Sequence, residues 1–264
     1  MNYERKTVQM HSGSTVSYIV SKGNLAKTPI LFLHGWGGSA ESFTAQLLPA
    51  LEQESNDHPP LYALDFPGFG QSPEPAAAWT VQEYADCVVE FTQALNLQKV
   101  HVVCHSFGGR ITPLLLTQYP ERFVSAVCIA PAGVYHENAT AQRMARLSKI
   151  AGRFDTMPAV SFLMRVVRSF VRKLVGANDY AATSGVMQET FKHVVASDVT
   201  PVLSRITQPV TLFFGRNDTY VPVSDAQVWH DAIPQSTLTI FEDGRHGLQY
   251  THAAQIAHAI STLV

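Results

Sequence analysis

The chain has 264 residues, of which 46% are hydrophobic and 15% charged, with a formal net charge of −2. That is the composition of a folded protein with a substantial core, not of a disordered one, and it argues against a general nucleic-acid binder. Cys87, Cys104 and Cys128 lie inside apolar patterns without metal-ligand spacing and read as buried small hydrophobes of a reducing compartment. The N-terminus shows no apolar signal core and no run has the length of a membrane span. A cytoplasmic protein without stable membrane insertion is the expectation.

Residues 4–10 and 15–20 flank His11-Ser-Gly-Ser14 and read as an edge hairpin. Pro29-Ile-Leu-Phe-Leu33 has the length of a fully buried strand and runs into His34-Gly-Trp-Gly-Gly38. Ser39 is the expected N-cap of a helix reaching about residue 53. A strand over 60–65 ends in Asp65-Phe-Pro-Gly-Phe-Gly-Gln-Ser72, and Thr80 caps a helix predicted to reach about Leu97. The stretch Lys99-Val-His-Val-Val-Cys-His-Ser-Phe-Gly-Gly109 reads as a buried strand, a very tight turn with Ser106 at its apex, and the start of a helix. A further strand covers 124–130. About 65 residues of helical period follow; the strand pattern then resumes at 209–214 and 236–241, each strand trailed by a helix.

Strands alternating with helices predict right-handed crossovers and an α/β fold, a mainly parallel eight-stranded sheet covered on both faces. In such a sheet the functional loops lie beyond the carboxyl ends of the strands. His34, Trp36, Asp65, Ser106, Asp218 and His246 all fall there.

A serine hydroxyl becomes a nucleophile only beside a base, and the base needs a partner that fixes its tautomer. Ser106, Asp218 and His246 occur in the chain order expected when the nucleophile occupies a strand-turn-helix elbow. On its own, Ser106 could be a helix N-cap and Asp218 a turn residue; together, each at a strand end, they point to nucleophilic catalysis. Asp225 and Asp231 are expected to face solvent, and Asp243 to shape the turn before His246. Asp65 reads as structural, bonding loop amides. His34 is expected to shape its loop and His105 to face into the elbow. His11, His58, His136, His193, His230, His252 and His258 read as surface or helix-face residues.

Over essentially its whole length, including the His-Gly loop and the segment from Asp65 to Ser72, the chain resembles the α/β-hydrolase superfamily. The resemblance implies a serine esterase with Ser106 as nucleophile, Asp218 as acid and His246 as general base. It also implies an oxyanion hole formed by the backbone amides of Trp36 and Phe107, the Trp36 ring and Phe107 also walling the substrate pocket. One letter departs from Gly-x-Ser-x-Gly: the first glycine is Cys104, small enough to require only slight local adjustment. Dehalogenases and epoxide hydrolases of the superfamily carry Asp at the elbow, so Ser106 favours cleavage of an ester or thioester. Carbon–carbon bond hydrolysis by the same triad, and a ligand-binding or signalling protein that keeps the triad, are the alternatives. No phosphate-cradling loop, metal cluster or dinucleotide fingerprint occurs, so no cofactor is implied.

The resemblance further divides the chain into a core, residues 1–132 and 199–264, and a helical cap, residues 133–198. That cap segment carries nine Lys/Arg against five Asp/Glu, while the remainder carries ten against sixteen. Arg165, Arg168 and Arg172 share one helical face opposite an apolar one. The plain expectation is a cap that buries its apolar side and solvates its basic one. The sharper ones are an anionic membrane surface, or an acidic partner such as a carrier protein bearing the acyl group.

Overall fold

The structure, a computed structural model, describes residues 3–55, 57–136 and 185–263. Eight strands form one sheet: β1 (Tyr3–Gln9), β2 (Thr15–Ser21), β3 (Ile30–Leu33), β4 (Leu61–Leu64), β5 (Val100–His105), β6 (Phe123–Ile129), β7 (Val210–Gly215) and β8 (Ser236–Phe241). Their order is β1-β2-β4-β3-β5-β6-β7-β8. The β1–β2 and β2–β4 pairings are antiparallel and the remaining pairings are parallel. This is the expected α/β architecture.

The central strands are apolar on both sides because both faces are covered. In β3, Leu31 and Leu33 pack into one core while Ile30 and Phe32 pack into the other. The first core receives α3 (Val81–Ala94) and α4 (Gly108–Gln118). The second receives α1 (Glu41–Thr44), α2 (Leu47–Glu54) and, from the far end of the chain, the C-terminal helix Ala253–Leu263.

Two helices differ from expectation. The helix predicted from Ser39 to about 53 is broken into α1 and α2, with Gln46 between them at φ −140°. Pro49 explains the break: in an unbroken helix its ring would collide with the Ala45 carbonyl. Ser39 is not the cap. Instead, the Ala40 amide donates to the Asp65 carboxylate at 2.7 Å. Helix α3 starts as predicted, with a capping box between Thr80 and Glu83, but ends at Ala94, where Asn96 adopts φ +55°.

Beyond β6, residues 137–184, and with them Arg165, Arg168 and Arg172, lie outside the described residues. Helix α5 (Val186–Ala196), which the 133–198 boundary places in the cap, falls in the same compact unit as the sheet. Thr190 on α5 accepts a hydrogen bond from the Trp79 amide at 3.0 Å. Short α6 (Thr200–Leu203), α7 (Ser224–Ala232), α8 (Leu248–Thr251) and α9 (Ala253–Leu263) complete the described helices. Among the described residues no helix is long and apolar enough to cross a membrane.

Candidate active site

The elbow between β5 and α4 is built by what its neighbours lack. Ser106 takes φ +49°, a left-handed conformation that a non-glycine residue adopts only when its surroundings force it. Its amide donates to the Ile129 carbonyl at 3.0 Å, and its carbonyl accepts from Gly109 and Ala132 at 2.8 and 2.9 Å. A Cβ at Gly108 would lie 2.6 Å from the Leu33 carbonyl oxygen, so the helix can start this close to β3 only with glycine there. Cys104 is fully buried and faces Cys128 across the β5–β6 pair. Its thiol bond and then burial push the Cys128 thiol well above its ordinary value. Cys104 is therefore a packing residue turned away from the apex, as expected.

The loops after β7 and β8 bring two further groups to Ser106. His246 Nε2 lies 2.9 Å from Ser106 Oγ, and His246 Nδ1 lies 2.7 Å from Asp218 Oδ2. The second Asp218 oxygen accepts the Tyr220 and Val221 amides at 2.7 and 3.0 Å. Burial pushes the Asp218 carboxyl up. The bond to His246, the charge of that ring and the two amides outweigh burial and hold it below the ordinary carboxylate value. The carboxylate is thus a stable anion aimed at one imidazole nitrogen. Its side chain is 1% exposed and that of His246 21%, so the imidazole remains reachable. Tyr220 leans over His246 with ring centroids 5.0 Å apart. Asp218, Tyr220, Arg245 and His246 line a cleft of about 780 Å³.

The loop after β3 arrives from the other side. A Cβ on Gly35 would lie 3.3 Å from Ser106 Cβ, which places this backbone against Ser106. His34 is wholly buried; its Nδ1–H donates to the Gly35 carbonyl at 2.7 Å and its Nε2 accepts the Phe66 amide at 3.0 Å. This geometry requires a neutral ring, and burial pulls the His34 pKa down to about 4. His34 therefore shapes the loop, as predicted. Phe107 follows Ser106 and Trp36 follows Gly35 in the chain, and neither amide donates to an acceptor among the described residues. The Trp36 ring packs on Phe69, Phe107 and Phe191 at 4.8, 5.4 and 5.0 Å, and its buried Nε1 has no partner there.

The chain matches the alpha/beta hydrolase fold over residues 28–253. It belongs to the alpha/beta hydrolase family. Over 112 residues it is 34% identical to the dihydrolipoyllysine-residue acetyltransferase component of the acetoin cleaving system of Cupriavidus necator, a match covering 42% of this chain and 28% of that one. The chain therefore spans well under half of that relative. It is 26% identical to the non-heme chloroperoxidase of Streptomyces lividans, covering 93% of this chain and 94% of the relative. Among solved structures, a bacterial membrane phospholipase A superposes with a TM-score of 0.75 at 21% identity, covering 99% of this chain and 85% of that one.

Within this alpha/beta hydrolase fold several side chains take places that the sequence does not announce. Asp225, expected at the surface, is 3% exposed: it lies in the first turn of α7 facing inward, where its charge acts on the half-buried Arg110. His252, read as a surface or helix-face residue, is buried against Phe241 with ring centroids 4.1 Å apart; its Nε2 meets Asp243 at 3.1 Å and braces the loop that carries His246. Asp65 is structural, accepting the Ala40 and Gln71 amides and an Arg5 guanidinium. His105 bonds the backbone of His246, a contact spanning 141 positions with no local signal. Among the described residues no cluster of three His, Cys, Asp or Glu is arranged to hold a metal ion.

Proposed function

We propose that this hydrolase cleaves a carboxylic ester or thioester through an acyl-enzyme. The observation that carries the reading is the unbroken line from Ser106 Oγ through His246 to Asp218, with links of 2.9 and 2.7 Å. As Ser106 Oγ attacks the substrate carbonyl, its proton passes to His246 Nε2, and the Asp218 anion stabilises the imidazolium on the opposite nitrogen. The carbonyl oxygen, now negative, is met by the Trp36 and Phe107 amides, and the start of α4 adds the favourable end of a helix dipole. His246 returns the proton to the leaving alcohol or thiol, leaving an acyl group on Ser106. Water, deprotonated by the same ring, then releases the acid and restores the serine.

The Trp36 ring, partly exposed and packed on the buried Phe69 and Phe107 and on Phe191, offers an apolar face that suits the acyl part of a substrate. The acyl-transfer name of the Cupriavidus necator relative agrees with acyl chemistry. Acceptance of a carrier-bound acyl group rests on the basic residues at 165, 168 and 172, which lie outside the described residues. An acyl-chain-length series of p-nitrophenyl esters and matched thioesters tests the reading, with Ser106→Ala as control. The variant should lose on the order of 10⁴-fold or more in kcat. Undiminished turnover by Ser106→Ala sinks the proposal.

A further inference from the structure

His105 touches three parts of the site at once. It precedes Ser106 in the chain. Its Nε2–H donates to the backbone carbonyl of His246 at 3.0 Å, and the two imidazole centroids are 4.8 Å apart. The backbone of Gly35 presses on its other side: a Cβ there would lie 2.8 Å from His105 Nδ1. The ring is 8% exposed.

Because Nε2 must carry a hydrogen to reach a carbonyl, the neutral ring has Nδ1 bare. The Gln249 side-chain amide approaches that bare nitrogen at 3.5 Å, the orientation that favours this tautomer. Gln249 is 2% exposed, and its Oε1 has no partner among the described residues. An unpaired buried carbonyl is unfavourable, and a methionine of similar size would avoid it. The amide therefore has a use here that packing alone does not supply.

We propose that His105, kept in one tautomer by Gln249, is a positioning residue for His246, fixing the backbone of the base so that its imidazole stays in line between Ser106 Oγ and Asp218 Oδ2. The inference rests on the esterase reading of this site. The titratable groups that act on His105 are His246, Asp218 and His34; burial, followed by the charge of His246, takes its pKa down to about 3. It therefore stays neutral while His246 cycles through its charged form. A second charge beside the imidazolium would oppose the proton transfer from serine, and a neutral donor does not.

The test compares His105→Phe, His105→Gln and Gln249→Met on p-nitrophenyl butyrate, with rates expressed per active site titrated by a fluorophosphonate. His105→Phe keeps a ring but loses the donor. Its kcat should fall about tenfold to a hundredfold with KM nearly unchanged, since small misplacements of catalytic groups cost that much. The acid-side midpoint of its kcat/KM profile should move down as the imidazolium loses alignment with Asp218. In His105→Gln the amide can reach the same carbonyl, so kcat should recover most of the loss, while Gln249→Met should lose a few-fold. If His105→Phe does not fold, Gln249→Met decides the matter. Wild-type kcat and midpoint per titrated site in His105→Phe, or in Gln249→Met where His105→Phe does not fold, overturn the proposal, as does a loss in His105→Gln as large as in His105→Phe, whatever their thermal stability. If the wild-type chain itself shows no Ser106-dependent turnover, the esterase reading fails instead. The positioning role is then judged from the downfield proton resonance of the His246–Asp218 bond, which loss of the His105 donor should shift and an unaltered signal would refute.

Discussion

Ser106 carries a backbone cost that its side chain does not relieve. Left-handed geometry costs a non-glycine residue about 1–2 kcal/mol, and φ at Ser106 is +49°. The strain is held by the bonds of its amide and carbonyl to Ile129, Gly109 and Ala132. Ser106→Gly should therefore abolish turnover and yet raise unfolding stability by about 1 kcal/mol, since glycine adopts this conformation freely. Urea unfolding of the variant checks this; a clear loss of stability would show that the elbow is not strained. Cys104 beside it needs no such explanation. It is a small buried side chain opposite Cys128, and the close approach of helix and strand depends on Gly108.

At the scale of elements, the turn after β4 ties the edge hairpin to the site-bearing loops. Asp65 is fully buried and holds three partners from three segments: the Arg5 guanidinium at 2.6 Å, the Ala40 amide at 2.7 Å and the Gln71 amide at 3.0 Å. Ser72 Oγ closes the loop by donating to the Asp65 carbonyl at 2.7 Å. Arg5 is partly exposed and keeps Glu41 as a second partner, so what loss of the carboxylate leaves unpaired is the Ala40 and Gln71 amides, at about 1–3 kcal/mol. Asp65→Ala should destabilise the chain by about that amount, whereas Asp65→Asn, which keeps one acceptor and the volume, should cost less. Chemical denaturation decides it: a loss under about 1 kcal/mol for Asp65→Ala would mean that these bonds are incidental.

For the molecule as a whole, two buried neutral histidines make stability depend on pH. Burial takes His34 down to about 4 and His105 down to about 3. Unfolded, both should titrate near the ordinary value of about 6.5. Between these limits the unfolded chain binds protons that the folded chain does not, so stability rises with pH through that window and is lost as pH falls below about 6.5. Each histidine contributes a slope of up to about 1.4 kcal/mol per pH unit. His105→Gln should flatten the stability profile between about pH 4 and 6 by one such slope. An unchanged slope in urea titrations would show that His105 is already charged in the folded protein.

Much of this protein was legible in its sequence because the signals are local. Apolar runs with strand length, the Thr80 and Glu83 capping pair and the crowded Ser106-Phe-Gly-Gly turn each act within a few residues. Ser106, Asp218 and His246 could be placed at strand ends because chain order and strand ends are also sequence properties. What the fold alone decided is which distant groups meet. The break at Pro49 is not of that kind: it is a local clash with a carbonyl four residues back, running against the apolar period. Asp225 and His252 are buried where groups from other segments meet them: the charge of Asp225 acts on Arg110 of α4, and His252 packs on Phe241 of β8. The sequence by itself determined the strands, the helices and the letters of the site. Only the parallel register of β5, β7 and β8 brought His246 within 2.9 Å of Ser106, because side chains 140 positions apart share no local signal and meet only when the strands beneath them align.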